Sequence, residues 1–154
     1  MDKEEIIKRF IEKSQRRAKE IEEVLASTRK DIVSAPGAMQ SHSDTSRYQL
    51  GRLATNTQEA LHQTKKLLGF LTNLETKEKH PITQIGSIVR TKENEVFFIV
   101  PYTTTDPITT DEGKINMVLD DSPIGKALIG KREGEKVKII TPSKTKILII
   151  ASIY

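Results

Sequence analysis

The 154-residue chain is predicted to be an α+β protein: an N-terminal antiparallel α-helical coiled-coil hairpin, then a small β-sheet domain carrying one short helix. Three observations predict this. Apolar and small residues recur at heptad spacing in two long stretches of the first half. A turn signal, Pro36-Gly37, separates them. The second half changes to short β-branched and alternating runs around a short helix whose two ends are both marked.

The first stretch runs through Ile7, Ile11, Ser14, Ala18, Ile21, Leu25, Thr28 and Ile32, the alternating four-three spacing of a heptad seam. No Gly or Pro interrupts Asp2 to Ala35. The second seam runs through Leu50, Ala54, Thr57, Leu61, Thr64, Leu68 and Leu71, weakened by Gly51 and Gly69. Between them, Pro36-Gly37 stops the first helix, and Asp44, Thr45 or Ser46 can cap the second. Two helices of similar length joined by a short loop make a hairpin, each helix on the order of 40 Å long at about 1.5 Å per residue. The same heptads also fit one half of a four-helix dimer. Glu75 to Pro81 breaks the second helix. The predicted division is therefore a hairpin over 1–76, a linker over 77–81 and a sheet domain over 82–154.

In the sheet domain, Ile85 to Arg90, Glu95 to Val100, Ile115 to Leu119, Lys136 to Ile140 and Lys146 to Ile153 read as strands. Lys92-Glu93-Asn94 is a tight turn, and the Thr-, Asp- and Pro-rich stretch from Tyr102 to Gly113 reads as a loop. Ser122 can cap a helix that Pro123 begins, because the N–H that proline lacks would be unpaired there anyway. Gly130 can take the left-handed conformation that ends it. Ile124, Leu128 and Ile129 give that helix an apolar stripe, and Glu133-Gly134-Glu135 turns the chain into the last two strands.

Composition narrows the function. Hydrophobic residues make up 36% and charged residues 30%, with 5% aromatic and no Trp, which suits an elongated protein with much exposed helix. The net charge of +4 is spread along the chain and does not by itself call for nucleic acid. With no Cys, a disulfide framework or thiolate metal site is excluded. No apolar run approaches the roughly 18 residues of a membrane span, and the charged start Met1-Asp-Lys-Glu-Glu does not read as a signal peptide, so a cytoplasmic protein is expected. There is no nucleophile–base arrangement, Walker loop or dinucleotide fingerprint.

The string Asp120-Asp121-Ser122-Pro123-Ile124-Gly125-Lys126-Ala127-Leu128-Ile129-Gly130-Lys131, followed by two strands, resembles the C-terminal domain of the bacterial Gre transcript-cleavage factors. There the pattern is Ser-Pro-(apolar)-Gly-Lys/Arg-Ala-Leu-(apolar)-Gly-Lys. The resemblance implies an FKBP-like sheet domain here. It does not imply prolyl isomerisation, since an isomerase pocket needs an aromatic cage and this half offers mainly Phe97, Phe98, Tyr102 and Tyr154. It also implies a partner, RNA polymerase, on whose rim the segment Asp121, Ser122, Pro123 and Ile124 would dock. A capped helix start accounts for the same residues, and the two readings are compatible.

In the family the hairpin enters the polymerase's secondary channel. Acids at its tip help hold the second Mg²⁺ of the polymerase active centre and orient water for hydrolysis of backtracked RNA. The family's tip pattern is Asp-Leu-x-Glu-Asn-x-Glu-Tyr. The string here is Ser41-His42-Ser43-Asp44-Thr45-Ser46-Arg47-Tyr48. Tyr48 matches, and Asp44 stands where the second acid would. Ser41 replaces the first acid, and Arg47 reverses the charge of a further one. Asp44 is thus the residue a catalytic, Mg²⁺-sharing role would fall on, and a plain helix N-cap is its other reading. His42 reads as an exposed loop residue more readily than as a ligand, since no His, Cys or acid is spaced to join it. Ser41, His42, Arg47 and Tyr48 would be the tip's contact residues; Tyr48 could pack under the loop or touch nucleic acid, and packing on the opposite helix is the expected role. Arg47, Arg52, Arg29 and Lys30 make the tip basic, or simply form a solvated helix face.

The resulting expectation is a transcription elongation regulator that binds RNA polymerase and is not itself an enzyme, at most a cofactor for RNA cleavage. It would hold no cofactor of its own beyond Mg²⁺ shared with the polymerase, and would meet nucleic acid only indirectly. The alternatives are a true cleavage factor using Asp44, or an Rnk-like interaction protein, a type that carries a similar domain on a shorter hairpin.

Overall fold

A computed structural model of the chain describes residues 2–35, 46–76, 80–103, 107–110, 113–140 and 145–154. The first helix, α1, spans Lys3–Ser34. The Asp2 carboxylate caps it by accepting from the backbone N–H groups of Glu4 and Glu5, and those two acids sit at the positive end of the helix dipole. The second helix, α2, spans Ser46–Thr72. Arg29 bonds Gln58 at 2.8 Å and Glu22 pairs with Lys65 at 2.9 Å. One heptad back along α1 is therefore one heptad forward along α2, so the helices run antiparallel within one chain. Ser14, Ala18, Ile21, Leu25 and Thr28 of the predicted seam are buried, facing Leu61 and Thr64. The expected connecting turn lies outside the described residues.

At the base of the hairpin the buried stripe widens. Ile6, Phe10 and Leu67 are buried alongside the seam residues Ile7 and Leu71. The cause is the sheet, which receives that side of both helices. Lys3 is buried here as well, and burial pushes its ammonium pKa below the ordinary value.

Six strands form the sheet: β1 Ile88–Thr91, β2 Val96–Val100, β3 Ile108–Thr110, β4 Gly113–Leu119, β5 Lys136–Ile140 and β6 Thr145–Ile153. Their order is β3-β4-β2-β1-β6-β5. β2 and β4 are parallel, and the other neighbours are antiparallel. A short helix, α3, spans Pro123–Leu128. This is the α+β arrangement predicted: a long helix pair and a mixed sheet with one short helix.

Alternation along the strands divides the core in two. Ile88, Val96, Phe98, Val100, Ile108 and Ile115 turn to the hairpin base and pack with Ile6, Ile7, Phe10, Leu67 and Leu71. Val89, Phe97 and Ile99 turn to the other face, where Leu128 of α3 meets Val137, Ile139, Leu148 and Ile150. Every residue of β2 is buried because this central strand is covered on both sides. Lys13 Nζ donates to the Pro107 carbonyl at 3.1 Å, and Lys66 lies 5.6 Å from the Tyr102 ring centroid, adding polar ties across the same junction.

Strand boundaries shift by a residue or two at β2, β4 and β6, β4 beginning at Gly113 and not Ile115, and two larger differences have clear causes. The first strand begins at Ile88, not Ile85, because Gly86 turns the chain at φ +91° against the Leu74 side chain, which a Cβ would meet at 2.5 Å. The stretch predicted as loop from Tyr102 to Gly113 contains β3. Its Ile108-Thr-Thr110 is β-branched throughout and pairs with β4.

Candidate functional site

The start of α3 is held from several directions. Asp120 N–H donates to the Val100 carbonyl at 3.1 Å, fixing the end of β4 to the central strand. Ser122 has extended backbone angles, φ −68° and ψ 159°, as an N-cap requires. Its hydroxyl accepts from the Gly125 N–H at 3.0 Å and donates to the Leu119 carbonyl at 2.6 Å. Pro123 follows at the first helical position. At the far end, Gly130 has φ +80° and its N–H donates to the Thr83 carbonyl at 2.8 Å. Thr83 N–H in turn donates to the Lys131 carbonyl at 2.8 Å.

The predicted docking residues fall together on this turn. Asp121 and Pro123 are exposed, while Ser122 and Ile124 are half-buried, Ile124 packing toward the core beneath α3. The result is a carboxylate and a pyrrolidine ring presented side by side on a rigid corner. Ile129, expected in the apolar stripe, instead serves as the helix C-cap residue and is 37% exposed.

Gly125 is a site-building residue whose role the sequence reading did not identify. A Cβ there would lie 2.0 Å from the Leu119 carbonyl oxygen and 2.9 Å from Asp120 Cα. Only glycine lets the helix pass this close to the strand end. Its signal was a glycine inside a six-residue helix, where it costs about 1 kcal/mol relative to alanine unless close packing requires it.

The second group of candidates lies at the hairpin tip. Ser41, His42 and Asp44 fall outside the described residues. Arg47 and Tyr48 are in the first turn of α2, where there is no acidic residue. The Arg47 Nε donates to the Ile32 carbonyl at 3.4 Å, bringing the start of α2 back against the end of α1. Tyr48 is 69% exposed and lines a shallow depression with Arg47, Gly51, Arg52 and Asn56. The expectation that it packs on the opposite helix is corrected: the ring projects from the outer side of α2. Among the described residues no three His, Cys, Asp or Glu side chains converge as a metal site. The described part of the tip carries Arg29, Lys30, Arg47 and Arg52 with one carboxylate, Asp31, whereas a Mg²⁺ ligand set calls for several hard anionic oxygens.

Residues 81–154 match the C-terminal domain of the GreA/GreB transcription elongation factors. The transcription elongation factor GreA of Roseiflexus castenholzii is 33% identical over 145 residues, which cover 87% of this chain and 88% of that protein. This chain belongs to the GreA/GreB family. GreA of Clostridium kluyveri is 38% identical over 77 residues, 45% of each chain. A solved structure of Thermus aquaticus Gfh1 is similar at 16% identity and a TM-score of 0.38, over 97% of this chain and 92% of that one. In this Gre-family member the α3 corner lies inside the matched C-terminal region, and the tip lies outside it.

Proposed function

We propose that this chain binds RNA polymerase, docking through the exposed Asp121–Pro123 corner, and inserts its hairpin into the secondary channel as an elongation regulator. On this reading residues 82–154 provide the dock, 1–76 the reaching arm and 77–81 the connection. The observation that carries the proposal is the rigid corner. A serine hydroxyl bonded on both sides and a glycine that admits no Cβ hold Asp121 and Pro123 out to solvent. Pro123 also suits the first helical position, but that role does not call for the exposed carboxylate of Asp121 beside it. Helices of 32 and 27 residues support a channel-entering arm rather than the shorter hairpin of an Rnk-like protein.

The tip supports regulation by occupancy more than stimulation of cleavage. Asp44 is the one carboxylate between Asp31 and Glu59, and the arginines Arg47 and Arg52 follow it. Mg²⁺ bound in a polymerase active centre activates water for phosphodiester hydrolysis, and a tip with one acid offers it little. Cytoplasmic placement follows from the partner.

The test is a transcript-cleavage assay on a backtracked elongation complex of the cognate polymerase, with and without a cleavage-competent Gre factor. The expected result is little cleavage by this chain alone and inhibition of the competent factor. Strong Mg²⁺-dependent cleavage that is lost in Asp44→Asn would instead make it a cleavage factor with a single-acid tip. Failure to bind the polymerase would overturn the reading altogether.

A further inference from the structure

Among the described residues, no element covers one face of the outer sheet. In the β5–β6 ribbon, Lys138 stands opposite Ile147, Lys136 opposite Ile149 and Ile140 opposite Thr145. The alternate residues Val137, Ile139, Leu148 and Ile150 are buried with Leu128 of α3. Pleating therefore turns Lys136, Lys138, Ile140, Ile147 and Ile149 to the opposite side. That is the side on which the hairpin base covers Ile88 and Phe98. The base does not reach the outer ribbon, since Ile140 is 63% and Ile147 61% exposed.

The chemistry of this face is specific. Lys136 and Lys138 are exposed, and among the described residues neither meets a carboxylate. No acid occupies the five face positions or Thr145 opposite them. β5 is also an edge strand, where an exposed isoleucine is a liability unless something covers it. A surface that is both apolar and basic complements a segment that is both apolar and acidic. Nucleic acid would satisfy the lysines and gain nothing from the isoleucines. A second copy of the same face would set lysine against lysine.

We propose that the β5–β6 face on which Lys136 and Lys138 stand beside Ile140 and Ile147 docks an acidic, apolar-bearing protein segment. The proposal rests on the polymerase reading above, so that segment belongs to RNA polymerase. It is met on the side of the sheet opposite α3, giving the domain a second contact beside the base of the hairpin.

The test uses the full chain and the cognate core polymerase. Lys136→Glu combined with Lys138→Glu should weaken binding about tenfold or more, with a smaller salt dependence than the unaltered chain. Ile147→Ser should weaken it several-fold. All three side chains are exposed, so thermal melts should be unchanged. A photo-cross-linking residue at position 147 should label a polymerase subunit. If these variants bind as tightly as the unaltered chain while Pro123→Glu does not, the second contact is wrong and the polymerase reading stands. Cross-linking to RNA, DNA or a second copy of the chain would also overturn it. If the unaltered chain does not bind polymerase, both fall together.

Discussion

Ser122 uses one hydroxyl for two bonds, and this separates it from an ordinary N-cap. As an acceptor from the Gly125 N–H it could be replaced by aspartate. As a donor to the Leu119 carbonyl it could not, because an ionised carboxylate has no proton and would face that oxygen at close range. Ser122→Ala should cost about 1–2 kcal/mol from the lost cap and the unpaired carbonyl. Ser122→Asp should be no more stable than Ser122→Ala, whereas Ser122→Thr should keep most of the stability. Urea melts of the three variants decide the matter, and an aspartate variant as stable as the parent would refute the two-bond account. Gly125→Ala should be worse than any of them, because its Cβ meets backbone rather than a movable side chain. Ser122, Pro123 and Gly130 were legible in the sequence because capping is local chemistry, decided within a few residues. Gly125 was not, because the atom that forbids its side chain belongs to the end of the preceding strand. Tyr48 was misread for a similar reason: a tyrosine at a helix start does not record which side of the helix the partner occupies.

Among the elements, the hairpin seam and the sheet report differently on their surroundings. Heptad spacing identified Ile21, Leu25 and Leu61 as buried contacts, since two antiparallel helices need only their own period to find each other. It did not identify Phe10 or Leu67, because they lie off the seam in a core that the sheet completes. β2 was readable as a strand, but its unbroken burial needed the hairpin base on one face and α3 on the other. β3 escaped notice because three residues between Pro107 and Asp111 look like loop until β4 is there to pair with them. The shared core has a measurable consequence. Phe10 is fully buried, and its ring centroid lies 5.5 Å from that of Phe98 on β2. Phe10→Ala should cost about 3–5 kcal/mol, the range for truncating a buried aromatic. The loss should appear in both parts of the molecule at once, so hydrogen exchange should show the base of α1 and strand β2 losing protection together. Loss confined to α1, with β2 unchanged, would mean that the sheet is stable without the hairpin.

Over the whole molecule, the shared core fixes the hairpin to the sheet, and on the proposed polymerase reading this would couple the dock to the tip. At about 1.5 Å per residue, α1 is about 48 Å long, so its far end stands well clear of the sheet that anchors its base. Because Ile6, Ile7 and Phe10 share a core with β2, the arm leaves the sheet in a set direction, and a docked α3 corner would aim the tip. On that reading, what the tip would do depends on its charge. Asp44 alone gives one anionic oxygen donor group, and Arg47 opposes it. Ser41→Asp adds a carboxylate where the Gre tip pattern has its first acid, supplying both charge and a second hard ligand for Mg²⁺. RNA cleavage on a backtracked complex should then rise above that of the unaltered chain, and Ser41→Asp combined with Arg47→Glu should raise it further. Both gains should vanish when Pro123→Glu is added, although Pro123 belongs to α3 of the sheet domain and not to the hairpin. That dependence separates an aimed arm from a tip acting by free diffusion. If Ser41→Asp stimulates cleavage equally well with and without Pro123, the α3 corner is not the dock that positions the hairpin.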